Sequence, residues 1–430
     1  MPELLPYVRA VHFAATVTAA GIVFFQCFVA GPALGSRDGD HSPAVKRLLA
    51  RWLWMVRASL AVAVLSGAAW LALFASDIYD APISEVCANG GVWTVATQTR
   101  FGRIGSIRLG LAVLLALSSV RLLSAPPRGF VPATLAAGFL ITPAWTGHAG
   151  AMPGPSGQFD VVADALHLLA AGAWVGGVLP LAMLLAPAHG GTEPGWAAAV
   201  PIAVGRFSLL GMVSVAALLA TGVINTWYEV GSAADLIETQ YGRLVLVKIG
   251  LFAAMVGIAT INRFHLTPRL AASASVRRLQ RNCLAETLLG FAALFAVGFL
   301  GAMAPAAHAH HHAASASIPA EAAFVHIHST LGMADVTINP GRTGAARATI
   351  RLLNDDLDPL AAERVTLILT APAQGSKPIA HSAALAPDGA WEVDGIELSQ
   401  PGNWMVEVAA VLRRGGGLSL AAPIVIGPGP

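Results

Sequence analysis

The chain has 430 residues, of which 55% are hydrophobic and only 12% charged, with a mean hydropathy of +0.65. Soluble domains carry about 25% charge, so this balance excludes an ordinary water-soluble protein. The net charge of +2 by itself says nothing about nucleic acid, and no nucleic-acid partner is expected.

Crossing a bilayer takes roughly 20 apolar residues. Stretches of that kind are predicted at 5–34, 48–76, 103–124, 129–148, 160–187, 202–228, 243–264 and 282–303. The first is expected to remain as a span, because no convincing leader cleavage site follows it. Residues 304–320 form an Ala/His-rich linker. The eighth span ends in Ala304-Pro305-Ala306-Ala307, which resembles a signal-peptide cleavage site, but the chain is expected to stay intact. Beyond the linker the pattern changes to short β-rich runs at Phe324–Ile327, Ala334–Ile338, Arg347–Leu353, Arg364–Leu369, Trp391–Val393, Trp404–Leu412 and Ser419–Ile426. Turn signals separate them, among them Asn339-Pro340-Gly341, Asn354-Asp355-Asp356, Pro387-Asp388-Gly389 and Pro401-Gly402-Asn403. Strands at this spacing predict a small Ig-like antiparallel sandwich over residues 321–430.

Charge gives the orientation. Arg37, Lys46, Arg47 and Arg51 follow the first span, Arg121 and Arg128 the third, and Arg263, Arg269, Arg277, Arg278 and Arg281 the seventh. The intervening loops are mixed or acidic, with Asp77, Asp80, Glu85, Glu229, Asp235 and Glu238. The positive-inside rule then places the N-terminus and the C-terminal domain outside the cytoplasm.

The membrane region repeats itself. Arg9-Ala10-Val11-His12 matches Asp164-Ala165-Leu166-His167, and Gly21 and Gly176 follow at equal distances. Phe101-Gly102-Arg103 with Arg108 matches Tyr241-Gly242-Arg243 with Lys248. Two landmarks in one order predict two four-helix repeats, about 1–150 and 151–303. Each has an even number of crossings, so the repeats are parallel and the whole is an α-helical, eight-helix membrane bundle.

Polar groups in such apolar sequence are suspects for function. His12, His167 and His148 fall towards the outer side, with Met152 near His148. Imidazole suits copper and zinc, and thioether suits Cu(I). Each histidine alone reads more readily as a hydrogen-bonding group between helices; three on one side favour metal handling. Arg108 and Lys248 either stabilise an anion, pair with Asp160, Asp164 or Glu229, or snorkel to the interface. Outside the membrane, His308, His310, His311 and His312 precede the sandwich, and His326 and His328 alternate on its first strand, followed by Met333. Alternate residues of a strand share a face, so two imidazoles with a thioether nearby suit Cu(I) or Cu(II). Cys27, Cys87 and Cys283 form no CxxC, which argues against a redox motif.

Several motifs carry a resemblance. Thr146-Gly147-His148-Ala149, His167 with Ala173-Trp174-Val175-Gly176-Gly177, Arg206-Phe207-Ser208, Thr239-Gln240-Tyr241-Gly242-Arg243 with Lys248, and Glu286 resemble the copper-resistance D (CopD) family over most of residues 1–305. Residues 321–426, with His326-Ile327-His328, Met333-Ala334-Asp335-Val336, Asp388-Gly389-Ala390-Trp391 and Pro401-Gly402-Asn403-Trp404, resemble the YtkA/FixH-like β-sandwich of some CopD-type proteins. The resemblance implies a bacterial inner-membrane protein that moves copper between periplasm and cytoplasm, preferably inward. The chain begins at the first span without a CopC-like domain, so a separate periplasmic CopC-like donor or the C-terminal domain would supply the metal. Two rivals stay open: a b-type haem electron-transfer protein, and a copper-binding sensor or assembly factor without transport. No ATP-binding loop, phosphorylated-aspartate motif or catalytic triad occurs, so no enzyme is expected.

Overall fold

A computed structural model describes residues 4–35, 42–79, 81–120, 130–146, 154–186, 194–230, 232–303, 321–329, 332–353, 359–371, 377–413 and 417–429. They form two compact units, one helical and one β.

The helical unit is built on α1 (Leu5–Leu34), α2 (Pro43–Tyr79), α3 (Arg100–Ser118), α4 (Val131–Ile141), α5 (Gly154–Leu185), α6 (Pro194–Val230), α7 (Gln240–Ile261) and α8 (Ser273–Leu300). Seven of these are long and apolar enough to cross a bilayer. The fourth predicted span is shorter: α4 and a 3-10 turn, Thr142–Trp145, with its predicted ends outside the described residues. Large apolar side chains such as Leu65, Leu117, Val223 and Leu288 cover the outside of this unit, as a lipid-facing surface requires. Helices α1 and α5 are central, with 78% and 67% of their most apolar windows buried, against 11% for the span that α7 begins.

The repeat is visible in the packing. The mates Gly21 and Gly176 meet backbone to backbone where α1 crosses α5, and a Cβ on either would collide with the main chain of the other. Small residues permit such an approach, which maximises dispersion contacts between helices that gain nothing hydrophobic from lipid. The second landmark is a pair of matched caps. Thr99 Oγ1 accepts from the Gly102 amide at 3.0 Å and Thr239 Oγ1 accepts from the Gly242 amide at 2.9 Å, starting α3 and α7 in the same way. The halves differ between their second and third helices. The first half has two short helices there, Ile83–Ala88 and Gly91–Gln98, where the second has one turn, Asp235–Glu238.

The β unit has strands β1 (Ala323–Ser329), β2 (Gly332–Asn339), β3 (Gly344–Leu353), β4 (Ala362–Thr370), β5 (Ile379–Ser382), β6 (Ala384–Leu385), β7 (Trp391–Leu398), β8 (Gly402–Leu412) and β9 (Gly417–Ile426). All pairings between strands are antiparallel. One sheet has the order β1-β2-β3-β7-β6 and the other β5-β4-β8-β9. Alternating apolar residues from both sheets form one core, including Val336, Ile350, Leu367, Trp404 and Val406. The seven predicted runs all lie in strands; β5 and β6 are additions. Those two are short and largely exposed, so they lack the alternating pattern that reveals a half-buried strand. The turn at Pro387-Asp388-Gly389 holds Gly389 at φ 85°, a left-handed conformation that glycine adopts without strain.

Candidate functional site

In the first half the site centres on His12, which is 3% exposed. Its Nδ1 donates to the Ala63 carbonyl at 2.9 Å, with Ser66 Oγ at 3.1 Å. A carbonyl only accepts, so the proton sits on Nδ1 and Nε2 carries the lone pair. That lone pair is taken: Arg108 Nε donates to it at 3.0 Å. The same guanidinium donates to Thr16 Oγ1 at 2.7 Å, to the Phe139 carbonyl at 2.7 Å and to Thr142, and lies 4.3 Å from the Phe139 ring centroid. Arg108 therefore neither snorkels nor pairs with a carboxylate. It turns inward and joins α1, α3 and α4, using the five-donor fork that arginine alone possesses.

The second half repeats the frame and changes the contents. His167 Nδ1 lies 2.9 Å from Thr221 Oγ1. Thr221 donates its own proton to the Ala217 carbonyl at 2.7 Å, so Nδ1 is the donor to it and Nε2 again bears the lone pair. The spacing from histidine to hydroxyl is 54 residues in both halves. Here, however, no described group donates to Nε2. Lys248, the mate of Arg108, acts on His167 and Asp164 only through its charge. Around it stand polar groups from three helices. Asn225 Nδ2 approaches Asp164 Oδ1 at 3.5 Å, Tyr241 Oη donates to Glu229 Oε2 at 2.7 Å, and Asp160 is buried at 5% exposure.

Sequence reasoning named the two histidines and two cations but not the hydroxyls that orient them. Ser66 and Thr221 carried a usable signal, since both fall at the same distance after a repeated histidine. Of a second polar chain in the second half, sequence reasoning named only Glu286, through the family resemblance. Asn282 donates to Asn262 Oδ1 at 2.7 Å, and Asn262 Nδ2 donates to Glu286 Oε1 at 2.6 Å. Asn262 opens a π-helical turn, Asn262–Leu266, and with Glu286, Cys283 and Met212 lines a cavity of about 320 Å³.

In the β unit, the register sets His326 opposite Asp335 and His328 opposite Met333, with Ile327 between them in the core. Met333 itself is 5% exposed. His148, Met152, His308, His310, His311 and His312 lie outside the described residues, as do the side chains of His326 and His328. Among the described residues no three His, Cys, Asp or Glu side chains converge as a ready metal cage.

Comparison with known proteins agrees with this architecture. Residues 1–158 match the copper resistance protein D-like N-terminal domain, and residues 201–300 match copper resistance protein D. Copper resistance protein D of Pseudomonas syringae pv. tomato is 32% identical over 216 residues, covering 48% of this chain and 69% of that protein. Inner membrane protein YebZ of Escherichia coli K12 is 28% identical over 265 residues, covering 61% and 84%. Copper transport protein CutJ of Bacillus subtilis 168 is 26% identical over 350 residues; that match takes in 76% of this chain but only 60% of CutJ. No solved structure matches. With a duplicated helical frame, a repeated histidine and matches in both halves, this chain belongs to the copper resistance protein D family.

Proposed function

We propose that this protein resides in the bacterial inner membrane and moves copper from the periplasm to the cytoplasm. One observation carries the reading: within an apolar bundle, an imidazole is oriented by a hydroxyl at the same place in both halves of a copper-resistance chain. Orienting one ring nitrogen by a hydrogen bond fixes the tautomer and leaves the other as a ligand. His167 Nε2 meets that requirement, and we assign it as the intramembrane copper ligand. The names of the relatives from P. syringae and B. subtilis support copper as cargo, and that of the E. coli relative supports the membrane.

In this reading residues 1–303 are the conducting unit, 304–320 a linker and 321–430 an extracytoplasmic capture module. The basic loops support that orientation. His326, His328 and Met333, with the arm of His308, His310, His311 and His312, would collect Cu(I) or Cu(II) directly or from a separate CopC-like donor. His148 and Met152 would stand near the mouth of the bundle. Tethering keeps the captured ion at high local concentration beside its acceptor. The haem alternative is weakened by His12, because an axial ligand needs a free ring nitrogen and both of its nitrogens are engaged.

The test is copper accumulation in bacteria producing the full chain. The expected result is accumulation above the empty-vector level, lost in His167→Ala while membrane insertion persists. Undiminished accumulation in His167→Ala would remove the ligand assignment. No accumulation with the unaltered chain would favour a sensor or assembly role.

A further inference from the structure

The two halves place different chemistry at matched positions. On α1 the file towards the histidine reads Leu5, Arg9, His12; on α5 it reads Asp160, Asp164, His167. On α2 it reads Ser66, Trp70, Phe74; on α6, Thr221, Asn225, Glu229. Phe101 of α3 becomes Tyr241 of α7, and Arg108 becomes Lys248.

The first file is plugged. Trp70 packs 5.6 Å from His12 and 5.3 Å from Phe101, and Phe101 lies 4.7 Å from Phe74 between ring centroids. Arg9 covers the other side of Trp70 at 4.7 Å. Arg108 closes the imidazole nitrogen.

The second file is open in its chemistry. Where the rings stand in the first half there are an amide, a carboxylate and a phenol, Asn225, Glu229 and Tyr241. Asp160 is 5% exposed, and the buried Oδ1 of Asn225 has no donor among the described residues. A buried acceptor left without a donor costs free energy, so it persists where something else supplies the positive partner. From Asp160 to His167 the helix rises about 10 Å, with acceptors from α5 and α6 along the way. No three of these side chains converge into a cage, so the arrangement suits stepwise passage rather than tight storage.

We propose that the duplicated halves have divided their labour. The second half carries a divalent metal cation along Asp160, Glu229 and Asp164 to His167, and the first half is a locked scaffold. On the copper reading, upon which this rests for the identity of the ion, the carboxylate and imidazole donors select Cu(II) at this stage rather than Cu(I).

The test uses full-length protein with every histidine except His12 and His167 changed to alanine, so that no other imidazole contributes. In phosphatidylethanolamine/phosphatidylglycerol vesicles, Cu(II) influx at sub-saturating concentration is followed with a lumenal chelating dye. Asp164→Asn and Glu229→Gln should each lower the initial rate at least tenfold, whereas Trp70→Phe and Phe74→Leu should stay within twofold. Cu(II) titration followed by electron paramagnetic resonance supplies a second readout. Imidazole nitrogen coupling should be present in the parent and lost in His167→Gln. Equal losses from both halves, or full activity in Asp164→Asn and Glu229→Gln, would overturn the division. Influx absent but nitrogen-coupled binding present and sensitive to Asp164→Asn would support the file and overturn transport. The same sensitivity seen with Co(II) and not with copper would support the file and overturn copper as cargo. Neither binding nor influx of either metal would overturn the file itself.

Discussion

Arg108 shows how one residue can hold a bundle together. Carried on α3, its guanidinium reaches a histidine and a threonine of α1 and a carbonyl of α4, all in a low-dielectric interior where an unmade hydrogen bond is expensive. Replacing it strands those acceptors. Arg108→Ala should therefore destabilise the helical unit by about 2 kcal/mol or more, the cost of leaving buried polar groups unpaired. Arg108→Lys should recover little, since a point charge cannot serve partners in several directions. Thermal unfolding in detergent checks both variants. A melting temperature unchanged in Arg108→Ala would show that the network carries no stability. The corresponding change at Lys248 should cost much less, because no described acceptor depends on that ammonium for a hydrogen bond.

At the scale of elements, the crossing of α1 and α5 rests on two glycines. The central helices approach so closely that neither position tolerates a side chain without moving a backbone. Overpacking of this kind typically costs 1–3 kcal/mol, and more where backbone meets backbone. Gly176→Val should lower the yield of monodisperse protein in detergent and its melting temperature, and Gly21→Val should do the same by symmetry. Gly105, which has open space around it, is the matched control. Equal behaviour of all three variants on size exclusion would remove the crossing as the keystone. The β unit obeys a different rule: its core comes from alternating residues of two sheets, so no single approach is decisive. There the periodicity of two was legible for β2, β3, β4, β8 and β9, whose burial alternates along the strand. It was not legible for β5 and β6, which bury too little to show a pattern.

For the whole molecule, the proposed capture step and the conducting step rest on the same ligand chemistry, neutral imidazole. A proton competes with the metal for the ring nitrogen, so affinity is fully present above the imidazole pKa and declines below it. Copper binding by residues 304–430 should weaken as pH falls through about 6.5, the ordinary histidine value. Isothermal titration between pH 5 and 8 measures this. A pH-independent affinity would point to other ligands, Met333 first among them.

Some of this protein was written locally and some was not. Hydropathy marked the spans, because lipid imposes its requirement on each stretch of about 20 residues independently, while repeated motifs marked the duplication and turn signals the β-rich end. The histidines stood out for the same reason: a polar group in an apolar run is anomalous wherever it packs. What occupies those histidines was decided only by tertiary structure. Arg108 reaches His12 across 96 residues of chain, and Ser66 and Thr221 reach their imidazoles across 54. The equal spacing of Ser66 and Thr221 hints at their shared role, but that these groups meet at all depends on how the helices cross. The same holds for the Asn282–Asn262–Glu286 chain and for the contrast between a plugged first half and a polar second half. Duplication made the two halves alike in register, and only their packing reveals that one imidazole is bonded at both nitrogens while no described group bonds to Nε2 of the other.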